Sequence, residues 1–351
     1  MHRPLLLVAL SLTPAVASSQ SAQSTFTFAV SGDSRNCGDF VMPAIAAHVK
    51  TEHDAFYWHL GDFRWISNED QDLMALDPKL TKSEYPSRAW DDFLEHQMAA
   101  FGTFPVFLGR GNHETIAPMT REGYISKFSS FLSRPEIAAQ RKEDGDTGPS
   151  QPWYHFTRDG VDFITLDNSS HDEFTPEQLH WLRSVLDRDL DRRSSIHTII
   201  AGMHEALPHS TSSNHAMDDW DHGLRTGELV YTWFAQAEAA GKHVYVIASH
   251  SHYYSPNIFN TPYWKQHGPR VLQGWIIGTA GAHRYKLSPT AGTGSVTDIY
   301  GYLQGAVHPD GTVDFTPHKF SENDLKDARW PNTPLDAIHE CYIANSDSSG
   351  K

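Results

Sequence analysis

Cysteine is nearly absent: the chain has two in 351 residues, Cys37 and Cys341. A cysteine-built metal site is therefore disfavoured, and in an oxidising compartment an even pair reads as a disulfide. Such a bridge would tie the segment after Arg35 to the C-terminal tail. Two buried free thiols are the alternative, and a Cys37 thiolate ligand is the weakest reading. Long apolar runs are missing too. Beyond the first residues no stretch approaches the ~20 apolar residues of a membrane span, so no integral membrane segment is expected. Basic residues are outnumbered, 28 against 43 acidic, for a formal charge of −15. Without residues 1–17, which hold a single arginine, the charge is −16. A surface of that sign repels nucleic-acid backbones, so no nucleic-acid partner is expected. The acidity can be simple solubility. It leaves anionic substrates open, because bound metal ions would invert the local field. No internal repeat is evident, and the one low-complexity stretch, Lys142–Ser150, reads as an exposed loop.

The N-terminus is informative. Arg3 is followed by the apolar run Leu5–Leu12 and by Ala15-Val16-Ala17. A charged start, a short apolar stretch and a small-residue cleavage site make residues 1–17 a signal peptide in this reading, and the protein secreted or periplasmic. Residues 18–351, in a chain of 39% hydrophobic content, can bury a substantial core as one large domain or two closely joined ones. A single domain is expected, with residues from about 286 to 351 packed on it as strands and a tail.

Five apolar or aromatic runs read as buried strands: Phe26–Val30, Ala55–Leu60, Phe104–Leu108, Ile196–Ala201 and Val244–Ala248. Each is followed by a polar motif. In order these are Gly32-Asp33-Ser34-Arg35, Gly61-Asp62, Gly111-Asn112-His113-Glu114, Met203-His204 and Ser249-His250-Ser251-His252. Strands that each end in Asp, Asn or His can bring those side chains together at one sheet edge. Imidazoles, carboxylates and one amide oxygen gathered there would make a divalent-metal site.

Between the strands the spacing predicts helices over Val41–Val49, Arg88–Phe101 and Leu224–Ala240. Phe63–Tyr85 reads as a long polar loop. Trp153–Thr157 and Val161–Leu166 flank Arg158-Asp159-Gly160, a hairpin signal. Thr175-Pro176-Glu177 opens a helix through Leu190, with Thr175 as N-cap, Pro176 in the first turn, and Leu179, Leu182, Val185 and Leu186 on the buried face. The stretch from Val271 to Phe315 reads as strands and turns. Together these patterns indicate an α/β sandwich.

From about Thr25 to Tyr285, the order and spacing of the five motifs resemble the calcineurin-like metallophosphoesterase superfamily, which includes purple acid phosphatases and exported bacterial phosphatases. The resemblance implies a four-layer α/β/β/α sandwich. Two mixed β-sheets would lie face to face between helices, with a dinuclear metal site at the C-terminal edge of the strands. Carried across residue by residue, it implies that Asp62 bridges two metal ions. Asn112, His204 and His250 would complete one shell, and Asp33 with His252 would hold the other. The metals would be divalent or mixed-valence transition ions such as Mn, Fe or Zn. A hydroxide that they generate at neutral pH would attack phosphorus in line with the leaving oxygen. His113 would face the substrate, binding the phosphoryl group or acting as general acid. Glu114 would orient His113 or support the ligands.

The first motif departs from that pattern. Many members carry Asp-x-His there, and this chain has Arg35 in the third position. Purple acid phosphatases place a tyrosine three residues after the bridging Asp, and this chain has Trp65. Arginine offers no lone pair to a metal. The site around Asp33 and His252 is therefore expected to bind weakly, leaving room for a protein that purifies with one metal, and an iron–tyrosinate centre is disfavoured. Arg35 itself has two candidate roles, gripping phosphate through its planar fork or pairing with the acidic motif loops.

Other features read more simply. His59 is expected in the core. His209, His215, Asp218, Asp219 and His222 read as a polar loop, with a substrate lid or accessory cation site as the alternative. Tyr253, Tyr254, Trp264 and Trp275 are core or hydrophobic rim before they are an aromatic wall, and His283 could approach from the second sheet. Arg64 and Arg110 read as solvated or paired. The leading expectation is an exported metal-dependent phosphoesterase acting on small phosphate monoesters. A phosphodiesterase on nucleotide or lipid-derived diesters, or a non-catalytic metal- or phosphate-binding protein, are the alternatives. The oligomeric state is not legible.

Overall fold

The computed structural model describes residues 25–169, 173–212, 215–268, 270–287 and 289–346. The expected signal peptide, residues 1–17, lies outside them. The strands β1 (Phe26–Ser31), β2 (Tyr57–His59), β3 (Val106–Leu108), β4 (Tyr154–Arg158), β5 (Val161–Thr165) and β6 (Thr198–Met203) come first. After them come β7 (His243–Ala248), β8 (Tyr254–Pro256), β9 (Gln273–Ile277), β10 (Gly301–Val307) and β11 (Val313–Lys319). They form two mixed sheets, ordered β11-β10-β1-β2-β3 and β4-β5-β6-β7-β9-β8. In the first, β1, β2 and β3 are parallel; in the second, β5, β6, β7 and β9 are. All five strands read from the sequence are present, as is the hairpin of β4 and β5.

The helices that frame the sheets are α1 (Gly38–Thr51), α2 (Gln71–Leu76), α3 (Tyr85–Asp92), α4 (Pro135–Asp144), α5 (Pro176–Asp189) and α6 (Asp221–Ala239). The Thr175 hydroxyl accepts the Gln178 N–H at 3.3 Å, so α5 starts with the cap its sequence announces. Several expectations need correction. The predicted loop Phe63–Tyr85 contains α2. The predicted helix Arg88–Phe101 begins earlier, at Tyr85, and continues from α3 through a π-helical turn at Phe93–Gln97 into a 3₁₀ turn at Met98–Phe101. Within Lys142–Ser150, the first three residues end α4, and Gly145, at φ 73°, turns the chain out of that helix. Beyond β11 the tail forms two helices, α7 (Glu322–Ala328) and α8 (Leu335–Ala344). Ser321 and Asp324 cap α7 reciprocally. A Cys37–Cys341 disulfide joins α8 to the residue that precedes α1.

Side-chain alternation sets the layers. Along β6, Ile200 faces the other sheet while Ile199 and Ala201 face outward; along β7, Tyr245 and Ile247 face inward and Val244 and Val246 outward. The outward set packs with Leu182, Val185 and Leu186 of α5 and with Val230 and Phe234 of α6. The inward set joins an aromatic seam between the sheets, where Phe163 meets Phe28 at 5.1 Å and Phe56 at 5.0 Å. On the far side of the first sheet, Tyr57 reaches Met42 and Tyr302 reaches His48, both on α1. The result is the expected four-layer sandwich, helices outside two mixed sheets. Because the parallel strands of both sheets point the same way, their C-terminal loops meet. The Gly32 N–H donates to Ile277 O at 3.0 Å, and Ser249 Oγ donates to Leu60 O at 3.2 Å.

Candidate metal centre

Three of the loops at this edge hold a non-glycine residue in the left-handed region: Asp33 at φ 63°, Asp62 at φ 60° and His250 at φ 63°. Such a conformation persists only where surrounding contacts enforce it, and those contacts are present. Asp33 Oδ2 accepts the His250 N–H at 2.8 Å. The Glu114 carboxylate accepts three backbone N–H groups, from Asp62 at 2.8 Å, Phe63 at 2.9 Å and Gly111 at 2.8 Å. Gly111 has no room for a side chain, since a Cβ there would lie 2.3 Å from Asp62 Oδ1.

These loops bring the candidate ligands together. The ligand atoms of Asp33, Asp62, His204 and His250 all lie within 4.8 Å of one another. His204 Nδ1 is 3.0 Å from Leu60 O. A carbonyl only accepts, which assigns the proton to Nδ1 and leaves a lone pair on Nε2. That lone pair faces Asn112 Oδ1 at 2.9 Å, His250 Nδ1 at 3.0 Å and Asp62 Oδ1 at 3.3 Å. Asp33 Oδ1 and Asp62 Oδ2 are buried without a hydrogen-bond partner among the described residues. A convergence of lone pairs and orphaned carboxylate oxygens is satisfied by a cation, so the residues fit a divalent metal.

Electrostatics agree with that arrangement. Burial and the nearby Asp62 push Asp33 up to about 6. Burial alone would also raise Asp62, but His113, His204 and Arg35 together hold it below the usual carboxylate range. Burial, with His204 close by, keeps His250 well below the ordinary histidine value, and burial with Arg35 does the same for His252. Both rings are thus kept neutral, as metal ligands must be.

His252 and Arg35 form the other flank. His252 Nδ1 donates to His283 O at 2.6 Å, and its Nε2 faces Arg35 Nη2 at 3.1 Å and Asp33 Oδ1 at 3.3 Å. Arg35 also donates to the Tyr285 hydroxyl at 3.2 Å and places Nε 3.6 Å from Asp62 Oδ2. Its guanidinium lies 5.7 Å from the Trp65 ring centre. His113 donates from Nδ1 to Trp65 O and directs Nε2 toward Asp62 Oδ2, 3.7 Å away. Glu114 braces the backbone on either side of Asp62, while the His113 ring is oriented by Trp65 O.

Three neighbours of the site carry no sequence motif. Tyr285 stacks on His252 at 3.9 Å, His215 lies over Tyr285 and has Nδ1 3.3 Å from His250 Nε2, and Trp65 walls Arg35. His215 therefore leaves the polar-loop reading, whereas His209 pairs with Glu228 at 2.8 Å. The aromatic wall is Trp65 and Tyr285; Tyr253, Tyr254, Trp264 and Trp275 are core. His283 does approach, with its ring 5.9 Å from that of Trp65. Burial drives His59 down to about 3, in keeping with a neutral core residue. Arg64 and Arg110 are buried and paired rather than solvated. Arg110 bonds Asp167 at 3.0 Å, and Arg64 bonds Asp39, Asp72 and Asp92.

The profile of the calcineurin-like phosphoesterase family matches residues 26–254. Among solved structures, purple acid phosphatase PPD1 from seeds of yellow lupin (Lupinus luteus) is similar at a TM-score of 0.53 and 16% identity. The match covers 90% of this chain and 57% of that one, less than two thirds of its length. A dimetal phosphatase from Danio rerio is similar at a TM-score of 0.50 and 15% identity, over 85% of this chain and 100% of that one. At these identities the likeness is one of fold. No curated protein is significantly similar in sequence. Motif order, sheet topology and family profile agree: the chain belongs to the calcineurin-like phosphoesterase family.

Proposed function

We propose that this phosphoesterase is exported and hydrolyses small phosphate monoesters. The observation that carries the reading is the burial of the centre. Arg35 and His113, only 7% and 8% exposed, lie beside the converging lone pairs of Asp62, Asn112, His204 and His250. So little exposed surface suits a terminal phosphoryl group better than the middle of a diester. Asp62, Asn112, His204 and His250 would hold a divalent ion, with Asp33 at its edge. When bound, that ion supplies Lewis-acid polarisation and a nucleophile at neutral pH. The chain's own residues do the rest. Asp62 stays anionic, Arg35 presents a fixed positive charge to the phosphoryl oxygens, and His113, whose Nδ1–H is engaged by Trp65 O, acts as general acid in its imidazolium form, giving its Nε2 proton to the leaving oxygen.

Export rests on the character of residues 1–17 and accords with the buried disulfide; residues 18–351 would then be the mature enzyme. Mass spectrometry of the exported protein should find a new N-terminus after Ala17. The substrate class is tested by assaying the full mature chain on p-nitrophenyl phosphate and on bis(p-nitrophenyl) phosphate with added manganese, zinc or iron. Faster turnover of the monoester is expected. A clear preference for the diester would replace this reading with a phosphodiesterase, and binding without turnover would replace it with a non-catalytic protein.

A further inference from the structure

The two flanks of the centre treat equivalent lone pairs differently. At His204, Nδ1 donates to Leu60 O, and Nε2 faces Asn112 Oδ1 and Asp62 Oδ1, neither of which can donate, and the neutral His250 ring at Nδ1, 3.0 Å away, with no permanent cation among them. At His252 the same logic puts the proton on Nδ1, which donates to His283 O, and leaves the lone pair on Nε2. Here a donor is already in place, because Arg35 Nη2 lies 3.1 Å away and a guanidinium can only donate. The same guanidinium reaches toward Asp62 Oδ2 at 3.6 Å. It is held by the Tyr285 hydroxyl at 3.2 Å and by the face of Trp65. Arginine does not lose its charge in proteins. His252 and Asp62, two of the three residues expected to hold one of two metals, thus face a permanent cation supplied by the chain, and Asp33 lies beside His252 at 3.3 Å.

We infer that the Arg35 guanidinium takes the place of one metal ion, so that the protein binds a single divalent cation. That cation is held on the Asp62, Asn112, His204 and His250 side. The inference rests on the metallophosphoesterase reading and narrows it. Two features of the residue produce the exclusion. The His252 lone pair is occupied by a hydrogen bond, and a second metal would sit against a like charge that cannot be neutralised by deprotonation. Tyr285 and Trp65 deny the guanidinium an easy way out, since one accepts its hydrogen bond and the other covers its face. The position is therefore a built element of the site rather than a ligand that has merely been lost.

Metal stoichiometry tests this without reference to turnover. The full mature chain is loaded with excess manganese, freed of unbound ion, and measured by elemental analysis and electron paramagnetic resonance. One ion per chain and the spectrum of an isolated Mn(II) are expected for the wild type. Arg35→His exchanges a donor for a lone pair and removes the permanent charge, and it should take up two ions and show an exchange-coupled pair. Arg35→Lys keeps the charge and should remain at one. Two ions in the wild type, or one in a folded Arg35→His variant, would overturn the inference. Should Arg35→His not fold, the wild-type count and spectrum still decide. A wild-type chain that binds no ion, or an ion retained in full by Asp62→Asn, would instead defeat the metal site itself.

Discussion

Glu114 and Asp62 are joined through the backbone: Glu114 Oε2 accepts the Asp62 N–H at 2.8 Å while Oε1 accepts the next N–H, from Phe63, at 2.9 Å. The same Oε2 takes the Gly111 N–H, so one buried carboxylate ties the loop after β2 to the loop after β3. Replacing it with an amide keeps the shape but turns one oxygen into a donor that faces an N–H. Glu114→Gln should therefore cost about 1–3 kcal/mol of stability. It should also weaken metal binding roughly 10–100-fold, the scale seen when a supporting partner is lost. Urea unfolding and metal titration check both numbers, and an unchanged metal affinity would deny Glu114 its bracing role.

His113 should behave as a proton donor rather than a metal ligand. His113→Gln should lower kcat by about 10²–10⁴-fold with little change in bound metal. The loss should shrink for substrates whose leaving group is acidic enough to depart unprotonated. Comparing p-nitrophenyl phosphate with an alkyl phosphate reads this directly; equal losses on both would remove the acid role.

Far from the centre, His155 is buried between Asp144, at 2.7 Å, and Asp162, at 2.8 Å. Burial alone would depress this imidazole, but the two carboxylates push it up to about 10. Stability from the charged form is complete below the unfolded value of 6.5 and is lost as pH climbs toward 10. Asp189, raised from 3.8 to about 8 by burial and by Asp162, acts in the same direction over a lower window that ends near pH 8, because its folded form also retains a proton that the unfolded chain releases. Melting temperature should fall across this alkaline range. His155→Ala should destabilise by about 3–5 kcal/mol at neutral pH, since it strands buried carboxylates, and should flatten the alkaline decline. A decline of unaltered steepness in the variant would show that other groups cause it.

The Cys37–Cys341 bridge closes a sequence separation of 304 residues, and Cys37 lies two residues from Arg35. Paired Cys37→Ser and Cys341→Ser substitutions should cost roughly 2–5 kcal/mol. Reductant should lower the melting temperature of the wild type and leave the double variant unaffected. Equal responses of the two proteins would separate the bridge from stability.

The strand ends were legible because buried parallel strands are continuous apolar runs, and a candidate site residue follows two to four positions after each run. Asp33, Asp62, Asn112, His204 and His250 are therefore gathered by the sequence alone. Helices α2, α7 and α8 were not legible. They are short, and their stability comes from a capping pair, from the disulfide and from packing on neighbours rather than from periodicity. Tyr285 left no trace, and His215 read only as part of a polar loop, for a similar reason: each sits in a loop, and only the meeting of β7 and β9 with the first sheet sets them against His252 and His250.

Sequence alone determined the chemistry of the edge, since residue type and strand order settle which donors arrive there. Tertiary structure decided how those donors are divided. Whether an arginine grips substrate, braces a loop or stands where a cation would is a matter of angstroms, and the guanidinium reaches His252 and Asp62 only because two sheets converge. A hydrogen bond is directional and short in range, so no linear pattern of residues can specify which lone pair it occupies.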